Sequence, residues 1–315
     1  MKAINQKKGL MIGIPRSMLF YRYGLLWETF FKELGITTMI SPPTTRETLE
    51  IGSSIAVDET CLSAKLFMGH VHALLGKCDA IFIPRYSSLE HDALFCTRFE
   101  GLYDQTRNVF RSEPQRFISC NVDSNGKSPE AAAFETLGKT LGVSARESRA
   151  AYAAAYRADQ RQQKQWSREQ EELSRSKRTK ILLVGHSYVL SDPYLRKPIQ
   201  DYLTENGAVC LRADRMDRAK ARKACADFSP TCRWVMNEEL IGNAVLWKDK
   251  VDGIVLVSAF PCGPDSMTSE LLARRIKDVP LLNLVLDEQS GTAGIETRLE
   301  SFLDIIAFRG RRGLT

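Results

Sequence analysis

The chain has 315 residues, 43% of them apolar and 26% charged, a balance that supports about two globular domains with real cores. No apolar run reaches the roughly 18 residues of a membrane span, and the N-terminal patch in MKAINQKKGLMIGIPRS leads into a Gly/Pro turn, so a cytoplasmic protein without signal peptide is expected. A net charge of +6, from 44 basic and 38 acidic residues, suits an anionic substrate or partner, but no basic stripe with interleaved aromatics speaks for nucleic acid.

In chain order, GLMIGIP reads as a strand and LLWETFFKELG as an amphipathic helix ending at Gly35. ITTMISPP is a second strand stopped by Pro42 and Pro43. RETLEIGSS and CLSAKLFMGHVHALLGK carry apolar residues at helical spacing. CDAIFIPRY and QRFISCNVD are further buried strands, the latter ending in the turn signal SNGKSP. Strands alternating with helices predict a parallel sheet covered on both faces. From about residue 129 to 178 the composition changes to Ala, Arg, Gln and Glu, which predicts a charged connecting helix with a solvated face. A second alternation follows: strand KILLVGHSY, helix YLRKPIQDYLTENG, strand AVCLRAD, strands VDGIVLVSAF and PLLNLVLDE around helix SMTSELLARRIKD, and a C-terminal helix TRLESFLDIIAFRG. The expectation is an α/β protein with an N-terminal domain over 1–128, a helical connection over 129–178 and a C-terminal domain over 179–315. The halves are alike in style without a residue-level repeat. In open sheets of this kind ligands gather at the carboxyl ends of the strands, and two facing sheets would form a cleft.

Eight scattered cysteines in a chain of this size do not predict a disulfide framework, and with no CxxC any metal site must be assembled from distant segments. Cys262 sits just past a strand in AFPCGPDS, Cys96 lies in the loop after AIFIPRY, and Cys61 opens a helix, where amides and the helix dipole favour negative charge. Cys78, Cys120 and Cys210 read as small buried hydrophobes, and Cys225 and Cys232 as structural or exposed. On residues alone, Cys61, Cys96 and Cys262 form a candidate interdomain metal site. Zinc with a histidine (His70, His91 or His186) and an iron–sulfur cluster both remain open. His186 ends a strand and is a candidate proton donor or metal neighbour; Arg16 and Arg85 follow strands and are candidates for neutralising a thioester, phosphate or cluster. His70 reads as a core residue or a support behind the site. Asp265 and Ser266 are expected to tie the Cys262 loop. There is no GxGxxG after a strand, and SGTAGIET lacks the Walker lysine, so ATP would have to be bound by another protein.

The segments IGIPRSMLFYRYGLLWETFFKELG, ISPPTTRETLEIGSSIAVDETCLSAKLFMGHV, IFIPRY and FCTRFEGLYD resemble the 2-hydroxyacyl-CoA dehydratase superfamily, in particular its stand-alone, activase-related members. LLVGHSYVLSDPYL, VDGIVLVSAFPCGPDS and LVLDEQSGTAGIETRLESFLD continue the likeness over nearly the whole chain. The resemblance implies two flavodoxin-like domains and a [4Fe–4S] cluster on three cysteines, matched by motif to Cys61, Cys96 and Cys262. It implies reduction by an ATP-dependent activator protein and dehydration of a 2-hydroxyacyl-CoA through a ketyl radical, a lyase reaction of anaerobic metabolism. It also implies a homodimer or a heterodimer with a related subunit. A double-cubane reductase of small molecules and a non-catalytic electron-transfer or accessory subunit are the alternative readings. The chain departs from the family pattern at CLSAK and CTRFEGLYD, which lack the prolines that commonly stiffen the two cysteine loops.

Overall fold

Runs of Ile, Leu and Val without polar alternation become strands buried on both faces, which a parallel sheet covered by helices requires. A computed structural model of the chain describes residues 9–126, 128–289 and 292–312. It divides into two compact units, Met1–Gln162 with Arg233–Val235, and Gln163–Cys232 with Met236–Thr315.

The first unit contains β1 (Met11–Ile14), α1 (Phe20–Glu33), β2 (Thr37–Ile40), α2 (Arg46–Ile55), α3 (Leu62–His72), β3 (Ala80–Phe82), β4 (Arg85–Glu90), β5 (Ala93–Leu94), α4 (Thr97–Val109), β6 (Phe117–Ile118), β7 (Asn121–Asp123) and α5 (Glu130–Thr140). Then comes α6 (Ala145–Leu173), which belongs to this unit as far as Gln162. Its main sheet runs β2-β1-β3-β6, all parallel. Ile12, Ile14, Ile81 and Phe82 of the central strands are buried, as are Leu26, Phe30 and Phe31 of α1. The Phe31 and Phe82 rings meet edge to face at 5.2 Å. A smaller sheet, β5-β4-β7, was not foreseen as separate. CDAIFIPRY and QRFISCNVD, each expected as one strand, divide between the two sheets. Ile81 pairs with Phe117 in the large sheet, and Arg85 with Asn121 in the small one. Pro84 sits at the break, where it cannot donate to a ladder.

The second unit contains β8 (Lys180–Val184), α7 (Ser187–Leu190), α8 (Pro193–Glu205), β9 (Val209–Arg212), α9 (Arg218–Phe228), α10 (Val235–Trp247), β10 (Gly253–Ala259), α11 (Gly263–Arg275), β11 (Leu281–Leu286) and α12 (Thr292–Arg312). Val235 itself is grouped with the first unit. The sheet runs β11-β10-β8-β9, all parallel. Every residue of β10 is buried. Leu182, Leu256, Leu211, Ile241 and Leu272 are among the residues that join in one core. Counted within its own unit, each main sheet has the order 2-1-3-4, the doubly wound order of flavodoxin-like folds. The chain is therefore mixed α/β with two flavodoxin-like sheets.

Matching local devices accompany the matching order. α1 ends on Gly35 at φ 72°, and α8 on Gly207 at φ 82°. The Gly35 and Ile36 N–H groups donate to Lys32 and Phe31, and those of Gly207 and Ala208 to Thr204 and Leu203, the same Schellman closure before strand 2. Ser290 and Gly291 of the SGTAGIET loop lie outside the described residues.

Candidate functional site

In a 2-1-3-4 sheet the connections leave strands 1 and 3 toward opposite faces and open a crevice beyond their carboxyl ends. In the second unit those strands are β8 and β10. β8 is followed by Gly185-His186-Ser187; a Cβ on Gly185 would lie 2.5 Å from the Val257 carbonyl oxygen of β10, so the close approach of the two strand ends requires glycine. β10 is followed by Phe260-Pro261-Cys262, with Cys262 capping α11.

The two loops meet through buried polar groups. His186 is 4% exposed, and its Nε2–H donates to Asp265 Oδ1 at 2.7 Å in the first turn of α11. Asn237 Nδ2 donates to the same oxygen at 3.2 Å and to Thr268 Oγ1 at 2.9 Å. The His186 ring stacks on Tyr188 at 4.8 Å. Three buried polar atoms here lack a hydrogen-bond partner among the described residues: His186 Nδ1, Asp265 Oδ2 and Ser187 Oγ. Buried polar atoms are costly to leave unpaired, so such a group at a strand crevice marks a place that a ligand or a proton completes. Ser266 ties the Cys262 loop, its Oγ donating to the Cys262 carbonyl at 2.9 Å. Asp265, expected to do the same, turns inward to orient His186 instead. Asn237 had no signal in the sequence, because MNEEL contains no motif and only the fold brings it to Asp265.

In the first unit the carboxyl ends of β1 and β3 border a small apolar pocket lined by Pro15, Met18, Trp27, Phe67, Phe82, Phe99 and Leu102 among others. Met18 has φ 52°, the left-handed region, in which a side chain costs on the order of 1–3 kcal/mol and which tends to collect at functional sites. Phe67 belongs to α3, capped by Cys61, and Phe99 and Leu102 to α4, capped by Cys96. Arg16 donates from its backbone N–H to Ser41 Oγ at 2.8 Å and from Nε to the Ser41 carbonyl at 3.0 Å. Arg85 donates to Asp104 Oδ1 at 2.6 Å and lies 4.8 Å from the centre of the Tyr103 ring. His70 is 1% exposed, with Nδ1 bonded to Ser41 Oγ and Nε2 to Thr44 Oγ1. His91 lies at the surface, 3.3 Å from the Asp92 carboxylate.

The cysteines fall into distinct environments, and none forms a disulfide. Burial raises the Cys78 and Cys120 thiols and pushes Cys210 up to about 12; Cys225 is raised first by its hydrogen bond with Cys232 and then by burial. Cys225, expected to be structural or exposed, is fully enclosed in the core. Cys61, Cys96 and Cys262 each cap a helix of 11 or 13 residues and are partly exposed. Thiol donors at helix N-termini suit an anionic iron–sulfur group. Cys61 and Cys96 belong to the first unit and Cys262 to the second. Among the described residues no three or more His, Cys, Asp and Glu side chains are grouped to hold a metal ion.

Residues 11–216 match the family model described as the CoA enzyme activase uncharacterised domain (DUF2229). The chain belongs to this family. No curated protein is similar enough to count as a match. The matched span of this CoA enzyme activase domain protein includes Cys61, Cys96 and His186 and stops short of Cys262 and Asp265. No helix among its described residues is long and apolar enough to cross a membrane.

Proposed function

We propose that this member of the CoA enzyme activase domain family is an iron–sulfur redox protein of the 2-hydroxyacyl-CoA dehydratase type. In this reading Cys61, Cys96 and Cys262 ligate a [4Fe–4S] cluster and a separate ATP-hydrolysing activator supplies its electron. The substrate is a 2-hydroxyacyl-CoA, which on one-electron reduction to a ketyl radical would expel hydroxide, then lose a β-proton and return the electron, for a net loss of water. The observation that carries the reading is the sorting of the cysteines: these three cap helices, while Cys78, Cys120, Cys210 and Cys225 have thiols held protonated. When bound, such a cluster supplies a low-potential electron and an iron left open by having only three thiolates.

The chain's own residues have assignable tasks. Asp265 and Asn237 fix the His186 ring and leave Nδ1 as the atom that holds a proton for the departing hydroxide. Arg16, tied to Ser41, and Arg85, tied to Asp104 and Tyr103, hold the loops after β1 and β3. The family description favours one second reading, an accessory subunit that delivers electrons to a CoA enzyme rather than turning over substrate itself.

The test is iron and acid-labile sulfide on protein purified without oxygen, with Cys262→Ala and Cys120→Ala beside the parent. About four of each are expected in the parent and in Cys120→Ala, and a loss in Cys262→Ala. Absence of iron from folded parent protein after reconstitution sinks the cluster. With the cluster present, acyl-CoA turnover after activator reduction supports the dehydratase, and activator binding without turnover supports the accessory subunit.

A further inference from the structure

The carboxyl edge of the second sheet carries a second polar feature that the redox reading does not use. Arg212 is the last residue of β9, the strand next to β8. Its guanidinium is held by Asp214 through two contacts, Nε to Oδ1 at 3.0 Å and Nη2 to Oδ2 at 2.7 Å, and by Ser191 Oγ at 2.5 Å. Both partners of this ion pair are less than 10% exposed. Its backbone N–H donates to Gln170 Oε1 at 2.8 Å, so the strand end is fixed from both sides.

Two further arginines stand beside it. Arg215 follows in the short turn after Asp214 and lies 4.9 Å from the centre of the Trp166 ring. Arg196 belongs to α8, which packs on β9, and its Nη1 donates to Gln200 Oε1 at 2.5 Å. Neither makes a direct ion pair among the described residues, and the Nε–H groups of both are buried without an acceptor. Burial first, and then the Arg212 charge, push both guanidinium groups below their ordinary values; Asp201 and Asp214 oppose this at Arg196, and Asp214 and Glu169 at Arg215. Of the three guanidinium groups only that of Arg212 has a carboxylate in direct contact. Half-buried like charges repel, and nearby carboxylates offset this only in part; an anion bound between them removes the penalty.

The position matters as much as the charge. In the dinucleotide-binding branch of doubly wound folds, an arginine near the end of strand 2 can accommodate a phosphate on the ribose 2′ position. Guanidinium groups match phosphate oxygens in planar, paired hydrogen bonds. We propose that Arg196, Arg212 and Arg215 form a phosphate-binding site at the end of β9, with the guanidinium groups of Arg196 and Arg215 as its donors. The ligand is a phosphate dianion, either free or carried as a phosphomonoester on a nucleoside. Arg212, already paired with Asp214, adds field rather than contact. The site stands independently of the proposed cluster, because it uses no cysteine.

Binding is read by calorimetry and by the Tm of the full chain. The probes are inorganic phosphate, adenosine 2′-monophosphate and adenosine, each against sodium chloride of equal ionic strength. A saturable rise in Tm with phosphate or the nucleotide is expected, with affinity weakened about tenfold or more in Arg196→Gln and Arg215→Gln. Tighter binding of the nucleotide than of phosphate, with adenosine silent, assigns the phosphate to a nucleoside; equal binding assigns it to free phosphate. Absence of saturable binding to the parent overturns the site whatever the variants do. Unchanged affinity in both folded variants overturns it as well.

Discussion

Two buried histidines illustrate how neighbours decide a residue's role. His70 has both ring nitrogens engaged, by Ser41 and Thr44, so its ring is a cross-link between the loop after β2 and helix α3. His186 has one nitrogen engaged by Asp265 and the other without a partner among the described residues, so its ring is oriented by one bond alone. For His70, burial and then the Arg16 charge hold the ring down to about 4 from 6.5. Its folded-state value is depressed, so its contribution is fully present above pH 6.5 and is lost as pH falls from 6.5 to 4, because the unfolded chain takes up the proton first. The loss amounts to about 3 kcal/mol. Urea unfolding at pH 7 and pH 4.5, run beside His70→Gln, checks this; equal pH slopes in the two proteins would refute it. A sequence shows that a histidine exists near a strand end. Whether one or both of its nitrogens find partners depends on residues such as Thr44 and Asp265, 26 and 79 positions away in the chain.

At the scale of elements, helix α3 matters because Cys61 opens it, and its placement rests on two glycines. A Cβ on Gly52 of α2 would run into the Lys65 carbonyl oxygen, and one on Gly69 of α3 into the Thr48 carbonyl oxygen. The two helices therefore touch backbone to backbone, with Thr45 and Thr48 closing a capping box at the start of α2. Gly69→Ala is expected to destabilise the protein by about 1–3 kcal/mol through overpacking, although alanine is the better helix former. Denaturant midpoints measure it, and a stabilised variant would refute the close contact. The periodicity of CLSAKLFMGHVH is sufficient to place this helix, but not to reveal that its glycine faces another backbone. The split strands show the same limit. CDAIFIPRY and QRFISCNVD read as continuous apolar runs, and only pairing shows that both leave one sheet together and enter a second.

At the scale of the molecule, two units of different sequence use one plan. Beyond the shared strand order and the Gly35 and Gly207 closures, each has an aspartate just before its third strand. Asp79 Oδ2 accepts from the Met11 N–H and Asp252 Oδ2 from the Lys180 N–H, both at 2.7 Å. In return the Asp79 N–H donates to Met11 and the Asp252 N–H to Lys180, which sets the register of strand 3 on strand 1 in each unit. Asp79→Ala and Asp252→Ala are each expected to cost about 0.5–1.5 kcal/mol. The aspartates share no partner, so the double variant should show the sum within about 0.5 kcal/mol. Unfolding curves of the two single variants and the double variant decide, and a coupled pair would contradict two separately registered sheets.

The α/β class, most strands and many of the helices are legible in the sequence, because apolar period and Gly/Pro punctuation are local properties of the chain. Helix α4, read as the loop of Cys96, and helices α9 and α10, between the strands AVCLRAD and VDGIVLVSAF, are not. The sequence by itself also singled out Cys61, Cys96 and Cys262, since a cysteine just past a strand or at a helix start shows in the order of residues. Tertiary structure decided what those local elements become. The 2-1-3-4 order of both sheets, the turn of Asp265 toward His186 rather than into its own loop, and the gathering of Arg196, Arg212 and Arg215 at one strand end all depend on pairings between distant segments. Such pairings are fixed by which buried surfaces and hydrogen-bond partners fit in three dimensions, and that information is spread over the whole chain rather than carried by any one stretch.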